Sequence, residues 1–276
     1  MTYRLLALDI DGTIHDRLTD TPLTERTKRA VAAVLKTGAG VTLATGRMYN
    51  SSLPFSRALG LSLPIICYQG ALTSNPVTHE IVRETPVPLP LAHRLIRLLE
   101  GRGLNPYVFI RDHFYVREMT DTVRQYERVL EIEADPVTDL VRSVQTPPTK
   151  IVVTGDAGPI SDIPAMVNSH FDGALAAMHT YEHLCEIGHP DGSKGMALEH
   201  LARTLGVKKE EVVAVGDSPN DVDMIQWAGL GVAMGNGPVE VRASADLVAR
   251  PASEEGLAIL LEDLLNEARF RSLPLC

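Results

Sequence analysis

Leu5-Leu6-Ala7-Leu8-Asp9-Ile10-Asp11-Gly12-Thr13 is the stretch on which the fold of this chain turns. Four apolar residues in a row describe a strand buried on both faces, as in parallel sheets. Two carboxylates two residues apart at a strand end point to the same side of the sheet. Gly12 then lets the backbone leave the strand, and freed N–H groups can face an anion. Like charges this close cost free energy unless a proton or a cation compensates them. The bland alternative is a strand end with an Asx-turn, in which Asp-Gly is common.

Outward from this strand, short apolar runs alternate with helical periodicities, which predicts an α/β fold built on a parallel sheet. Strands are expected over 4–8, 41–44 and 64–68, with helices over 24–36, where Thr24 is the N-cap, and from about 47 to 59. Residues 72–85 read as a hairpin around Asn75-Pro76. The prolines of Pro86-Val87-Pro88-Leu89-Pro90 mark a connector. Beyond it lies a second α/β layer. Helices are expected over 91–100, 120–131 and 160–169, and strands over 107–110, 114–117, 150–154 and 174–179. The first pattern resumes near Gly188, with helices over 195–205, 220–228 and 254–266 and strands over 212–215 and 231–233. The expected organisation is a core domain over 1–86 and 188–276, interrupted by a smaller α/β domain over 87–187.

Bulk composition narrows the partners. The chain has 276 residues, 45% hydrophobic and 22% charged, with a formal net charge of −9. That balance argues against nucleic acid or an anionic membrane surface, both of which call for basic patches. Cys67, Cys185 and Cys276 are odd in number and far apart, which reads as reduced thiols rather than a disulfide framework. No segment has the length of a membrane span, and the chain starts directly into a strand, so a cytoplasmic location is expected. Oligomeric state is left open.

Three further constellations share the setting of Asp9 and Asp11. Ala44-Thr45-Gly46-Arg47 follows a strand and opens a helix, so the Thr45 hydroxyl and the Gly46 N–H can hold an anion, or Thr45 simply caps the helix. Arg47 adjoins them as a candidate cation. Lys194, in Asp191-Gly192-Ser193-Lys194-Gly195, sits where the helix dipole disfavours a cation, so its amine is expected to face an anion unless it is merely a solvated surface lysine. Gly216-Asp217-Ser218-Pro219-Asn220-Asp221 puts two carboxylates and an amide at another strand end. Such oxygen donors suit Mg²⁺, although a capped turn is the plainer alternative. All four follow strands or begin helices, and so fall at the carboxyl edge of one sheet, where open α/β sheets bind ligands. Paired carboxylates with a divalent cation suit phosphoryl transfer.

In order and chemistry these four motifs resemble those of the haloacid dehalogenase-like superfamily. The resemblance is closest to its Cof-type hydrolases, which carry a large α/β cap after the third core strand. Glu186-Ile187-Gly188-His189-Pro190-Asp191-Gly192-Ser193-Lys194-Gly195 and the run from Gly216 to Met224 look like that branch's third and fourth motifs. One departure is visible: Tyr68-Gln69-Gly70-Ala71 stands where the branch often has Asn-Gly-Ala.

The resemblance implies a Rossmann-like core with an inserted cap, and an Mg²⁺-dependent phosphatase acting on a small phosphorylated metabolite such as a sugar phosphate or a phosphorylated cofactor. Asp9 would be the nucleophile that forms an aspartyl-phosphate, and Asp11 the acid and base. Thr45, Gly46, Arg47, Lys194 and Asn220 would hold the substrate, with an N–H of Gly12 or Gly46 on the developing negative charge. Asp9, the Asp11 carbonyl and Asp217 would ligate the metal, supported by Asp221. The cap would close over the cleft and set selectivity, with Arg111, His113, Tyr115, His179 and His183 as polar candidates. A phosphomutase is disfavoured because residues 14–23 are too short for a helical cap. A phosphate-binding regulator without turnover is the alternative from another class. A dinucleotide-binding dehydrogenase is disfavoured because no Gly-x-Gly-x-x-Gly follows the first strand; Gly229-Leu230-Gly231 lies before a strand, and Gly235-Asn236-Gly237 follows one but lacks the third glycine.

Overall fold

The computed structural model describes residues 2–15, 23–130, 132–155 and 157–274. Residues 16–22, on which the argument against a short helical cap rests, lie outside the described residues, as does Cys276. The chain divides into two compact units: Met1–Arg47, Ser52–Arg83 and Ser193–Cys276 form one, Met48–Ser51 and Glu84–Gly192 the other.

The first unit is built on a five-stranded parallel sheet in the order Leu247–Val248, Leu230–Ala233, Val212–Gly216, Leu5–Leu8, Gly40–Leu43. The three central strands are almost wholly apolar because both faces are covered; Leu5, Leu6, Ala7 and Leu8 are fully buried. Helix Lys194–Thr204 supplies Ala197, Leu198, Leu201 and Ala202 to one side of this core. Helix Glu25–Lys36 is capped by Thr24, whose side chain accepts the Thr27 N–H, as expected. The register matters most for function. Leu8 lies level with Leu43 on one side and Val215 on the other, so the residues that follow all three strands emerge together. The chain passes from Leu5–Leu8 to one neighbour and returns on the other side much later, which makes this the switch point where α/β sheets open a crevice.

The strand expected over 64–68 is Ile65–Cys67 and leaves the parallel sheet. It touches it through one parallel bridge, Ala44 with Ile66, and otherwise forms a three-stranded sheet with Leu72–Ser74 and Ile81–Glu84. Tyr68 and Gln69, both at positive φ (52° and 59°), turn the chain back at this point. The helix expected over 220–228 is a 3-10 turn, Pro219–Asp221, followed by Val222–Trp227. The helix expected from 254 starts at Gly256, because Glu255 takes a left-handed conformation (φ 56°).

The inserted unit carries a six-stranded sheet in the order Ala176–Tyr181, Leu184–Gly188, Lys150–Thr154, Tyr107–Ile110, His113–Val116, Ala134–Pro136. Its pairs are antiparallel except the last. Val108, Ile151, Val153, Cys185 and Ile187 pack with helices Leu89–Gly101 and Ile163–Phe171. Two strands of this unit escaped the sequence analysis. Ala134–Pro136 is short and ends in a proline, which an edge strand tolerates. Leu184–Gly188 carries Glu186, a charge uncommon inside a sheet. The structure neutralises it: Glu186 is buried against Lys150, whose Nζ lies 2.5 Å from Oε1 and 5.3 Å from the centre of the Phe109 ring. Removing either partner would leave a buried charge uncompensated, so Lys150→Ala is expected to cost about 3–5 kcal/mol of stability. Urea denaturation checks this. Beside the pair, burial and then the Glu186 charge push the Cys185 thiol up to about 12. It is therefore a protonated thiol at pH 8, and iodoacetamide is expected to spare it in the folded protein and modify it after unfolding in guanidinium. Peptide mass mapping reads the difference.

Candidate active site

Asp9 stands one residue past the strand Leu5–Leu8, its N–H held by the Val215 carbonyl (2.9 Å). Lys194 opens its helix as the first residue after the N-cap Ser193, whose side chain accepts the Met196 N–H. Asp223 Oδ2 takes the Gly195 N–H (2.8 Å) and fixes that helix end against the helix Val222–Trp227. From this position the lysine runs inward. Its Nζ lies 2.7 Å from Asp9 Oδ1 and 2.5 Å from Asp221 Oδ1, and Lys194 is 1% exposed, Asp9 4% and Asp221 0%. The anion expected opposite Lys194 is thus a pair of carboxylates. Burial works against the ammonium, but the charges of Asp221 and Asp9 outweigh it, and its pKa is raised.

Both oxygens of Asp221 are engaged. Besides Lys194, it accepts the N–H groups of Asp217 (3.0 Å) and Ser218 (2.9 Å) through Oδ2, and so shapes the loop that carries Asp217. Asp9, Asp217 and Asp221 each offer an oxygen within 4.8 Å of the others. With Asp221 committed, Asp9 and Asp217 remain as donors. Asp217 Oδ1 is buried and has no hydrogen-bond partner. An orphaned anionic oxygen beside a second carboxylate fits a hard divalent cation. Burial pushes the Asp9 carboxyl well above the usual carboxylate range, with Lys194 opposing and Asp221 and Asp217 adding to it. Burial and then the Asp221 charge push Asp217 up to about 7. Both shifts say the same thing: the three carboxylates are short of positive charge.

Asp11 faces a different partner. Arg47 grips it with both arms, Nε to Oδ2 at 2.7 Å and Nη2 to Oδ1 at 2.6 Å, while the guanidinium lies 4.8 Å from the centre of the Phe55 ring. This is the planar two-bond geometry that arginine offers carboxylates and phosphates alike. Thr45 is fully buried, and its hydroxyl accepts the Arg47 N–H (3.1 Å).

Gly12 is confined to glycine twice over: its φ is +91°, and a Cβ there would run into the Asp217 carboxylate. One expectation for it fails. Its N–H donates to the His15 carbonyl (2.7 Å) inside the turn, so it does not face an anion. A Cβ at Gly46 would strike the Gln69 amide. The Gln69 backbone N–H donates to the Thr45 carbonyl (3.1 Å), and the long side chain reaches Asn220, its Oε1 accepting from Nδ2 (2.7 Å). The donor end of Asn220, expected on the substrate, is therefore taken by Gln69.

The structure gathers Asp9, Asp11, Gly12, Thr45, Gly46, Arg47, Lys194, Asp217, Asn220 and Asp221 in the first unit. Arg111, His113, Tyr115, His179 and His183 belong to the inserted unit, where Arg111 pairs with Glu84 (3.3 Å) and His113 lies 3.6 Å from Asp135. Sequence reasoning missed Asn236, which bonds the Gly12 carbonyl (2.9 Å) and Asp217 Oδ2 (3.3 Å). Its place just beyond the strand Leu230–Ala233 was the available signal.

Residues 6–261 match the haloacid dehalogenase-like hydrolase family. The chain belongs to this family. Its core and inserted cap have the family's architecture, and it is an enzyme of the phosphoric monoester hydrolase class. It is 27% identical to the 5-amino-6-(5-phospho-D-ribitylamino)uracil phosphatase YitU of Bacillus subtilis (strain 168), covering 95% of this chain and 97% of that one. It is 28% identical to the pyridoxal phosphate phosphatase YbhA of Escherichia coli (strain K12), covering 94% and 97%. A crystal structure of a haloacid dehalogenase-like hydrolase from Bacteroides thetaiotaomicron superimposes with a TM-score of 0.85 at 25% identity, over 95% of this chain and all of that one. No helix among the described residues is long and apolar enough to cross a membrane.

The Asp217 shift sets a pH test on metal-free protein. A carboxyl whose folded pKa lies above its unfolded value binds more protons when folded, so its contribution to stability is lost as pH rises from about 4 to about 7. Asp217→Asn removes that loss. In EDTA the variant is expected to gain on the wild type as pH goes from 5 to 8, by about 1–3 kcal/mol, as read by urea denaturation.

Proposed function

We propose that this hydrolase is an Mg²⁺-dependent phosphatase of small phosphorylated metabolites that works through an aspartyl-phosphate on Asp9. The observation that carries this is the buried Lys194 shared by Asp9 and Asp221, next to the unpartnered Asp217 Oδ1. The lysine holds Asp9 in one orientation and supplies positive charge where phosphoryl oxygens arrive. Asp9, Asp217 and the Asp11 carbonyl would hold the metal, which when bound offsets the charge of the phosphoryl group and its acidic surroundings.

The chain's own groups account for the rest. An Asp9 oxygen attacks phosphorus, the P–O bond to the alcohol breaks, and Asp11, freed from Arg47 and having taken a proton from solvent, protonates the departing oxygen. Asp11 then takes a proton from water as the water oxygen bonds to phosphorus, the Asp9–phosphorus bond breaks, and inorganic phosphate leaves. Arg47 has a definite part in this sequence. Its two-armed grip occupies Asp11, and an incoming phosphomonoester offers the same guanidinium another pair of oxygens, which releases Asp11 for proton transfer. Thr45 fixes Arg47 through its backbone N–H. Substrate selectivity is assigned to the inserted unit. The named activities of YitU and YbhA, on a phosphorylated ribitylaminouracil and on pyridoxal phosphate, support a metabolite of that size and class.

The test is phosphate release from p-nitrophenyl phosphate and from a panel of sugar phosphates and phosphorylated cofactors. Asp9→Asn is expected to abolish turnover with the fold intact by circular dichroism, and wild-type-like release by that variant overturns the nucleophile assignment. Asp11→Asn is expected to lower kcat about 10²–10⁴-fold, the usual weight of a general acid–base group. Thorough chelation is expected to remove activity and added Mg²⁺ to restore it; full activity in chelator would sink the metal role.

A further inference from the structure

Asn236 lies in the loop Gly235-Asn236-Gly237, past the carboxyl end of the strand Leu230–Ala233. Its side chain is exposed, so core packing does not account for it. Both ends of the amide are nevertheless committed. Oδ1 accepts the Ala252 N–H (2.9 Å), and Nδ2 donates to the Gly12 carbonyl (2.9 Å) and to Asp217 Oδ2 (3.3 Å). One side chain thus ties together three loops: the turn after the first strand, the loop bearing Asp217 and the turn before the closing helix.

We propose that Asn236 is a positioning residue that aims Asp217 Oδ1 at the divalent cation. A carboxylate on a short side chain rotates unless something holds one of its oxygens. Here Oδ2 is held from two directions, by Asn236 Nδ2 and by the Ser218 hydroxyl (3.3 Å). That leaves Oδ1 as the orphan, buried and directed. The Ala252 N–H decides which end of the amide faces the site. With the amide reversed, its oxygen would oppose the Gly12 carbonyl and the Asp217 carboxylate, and its NH₂ would oppose an N–H. A neutral amide also holds the carboxylate without adding a positive charge that would repel the cation, as a lysine there would. Outer-shell donors of this kind orient the groups that bind a metal and raise their affinity for it.

This rests on the reading of Asp217 as a metal ligand, so the test measures binding as well as turnover. Mn²⁺ is titrated into the protein without substrate and the free ion is followed by electron paramagnetic resonance. Asn236→Ala is expected to bind Mn²⁺ about 10–100-fold more weakly than the wild type. The Mg²⁺ concentration for half-maximal phosphatase activity should rise in step, with kcat largely regained at saturating Mg²⁺. Unchanged Mn²⁺ affinity overturns the assignment, including the case where the variant only melts earlier in EDTA, which would make Asn236 a loop tether alone. A wild type that binds no Mn²⁺ brings down the metal reading itself, and this proposal with it. Should Asn236→Ala fail to fold, Ala252→Pro takes its place. Pro251 has φ −55° and ψ 152°, which a following proline accepts, and the new ring both removes the N–H that orients the amide and stands where the Asn236 oxygen sat, so the amide is turned away from Asp217. A several-fold loss of Mn²⁺ affinity is then expected, and wild-type affinity overturns the proposal.

Discussion

A single ammonium group, buried between two carboxylates, organises this molecule. Lys194 in the core would be ruinous alone, and so would Asp9 or Asp221; the three are tolerable only together. Their mutual attraction ties the first strand's end to the helix Lys194–Thr204 and to the loop after Val212–Gly216, segments far apart in the chain. The compensation is incomplete. Asp217 stands beside this group with an oxygen that nothing satisfies, and burial raises the pKa of both Asp9 and Asp217. A fold that holds carboxylates in such deficit has prepared a place for positive charge.

The sheet supplies the geometry this arrangement demands. The strands Val212–Gly216, Leu5–Leu8 and Gly40–Leu43 end level with one another, so three loops meet where the strand order reverses. Close approach then selects small residues: Gly12 leaves room for the Asp217 carboxylate and Gly46 for the Gln69 amide. Around the charged group stands a set of neutral or paired side chains, each with one task. Thr45 fixes Arg47, Gln69 fixes Asn220, Asn236 holds Asp217, and Asp223 pins the helix that carries Lys194. Thr45, Gln69 and Asn236 add no charge to the site, so the shortage of positive charge around its carboxylates is kept.

How much of this the chain announces depends on whether the signal is local. Buried strands show as unbroken apolar runs, and Leu5–Leu8 and Val212–Gly216 could be placed within a residue. Thr24 as a cap is equally local. Leu184–Gly188 was hidden because Glu186 looks out of place in a strand until Lys150 is set against it. Ile65–Cys67 reads as one more parallel strand, and only the left-handed turn at Tyr68 and Gln69 diverts it into a separate sheet.

The same division runs through the site. Residue chemistry at strand ends, repeated four times, was enough to nominate Asp9, Asp11, Thr45, Lys194 and Asp217 and to indicate what kind of reaction they suit. Partnership was not. That Asp221 spends both oxygens on Lys194 and its own loop, that Arg47 grips Asp11, that the Gly12 N–H turns away to His15, and that Asn236 reaches Asp217 are facts of three-dimensional neighbourhood. Side-chain type and strand position are written along the chain, since burial and backbone pattern act over a few residues. Which donor meets which acceptor is settled only when distant segments, such as Gly12 and Asn236, 224 residues apart, come within hydrogen-bond reach.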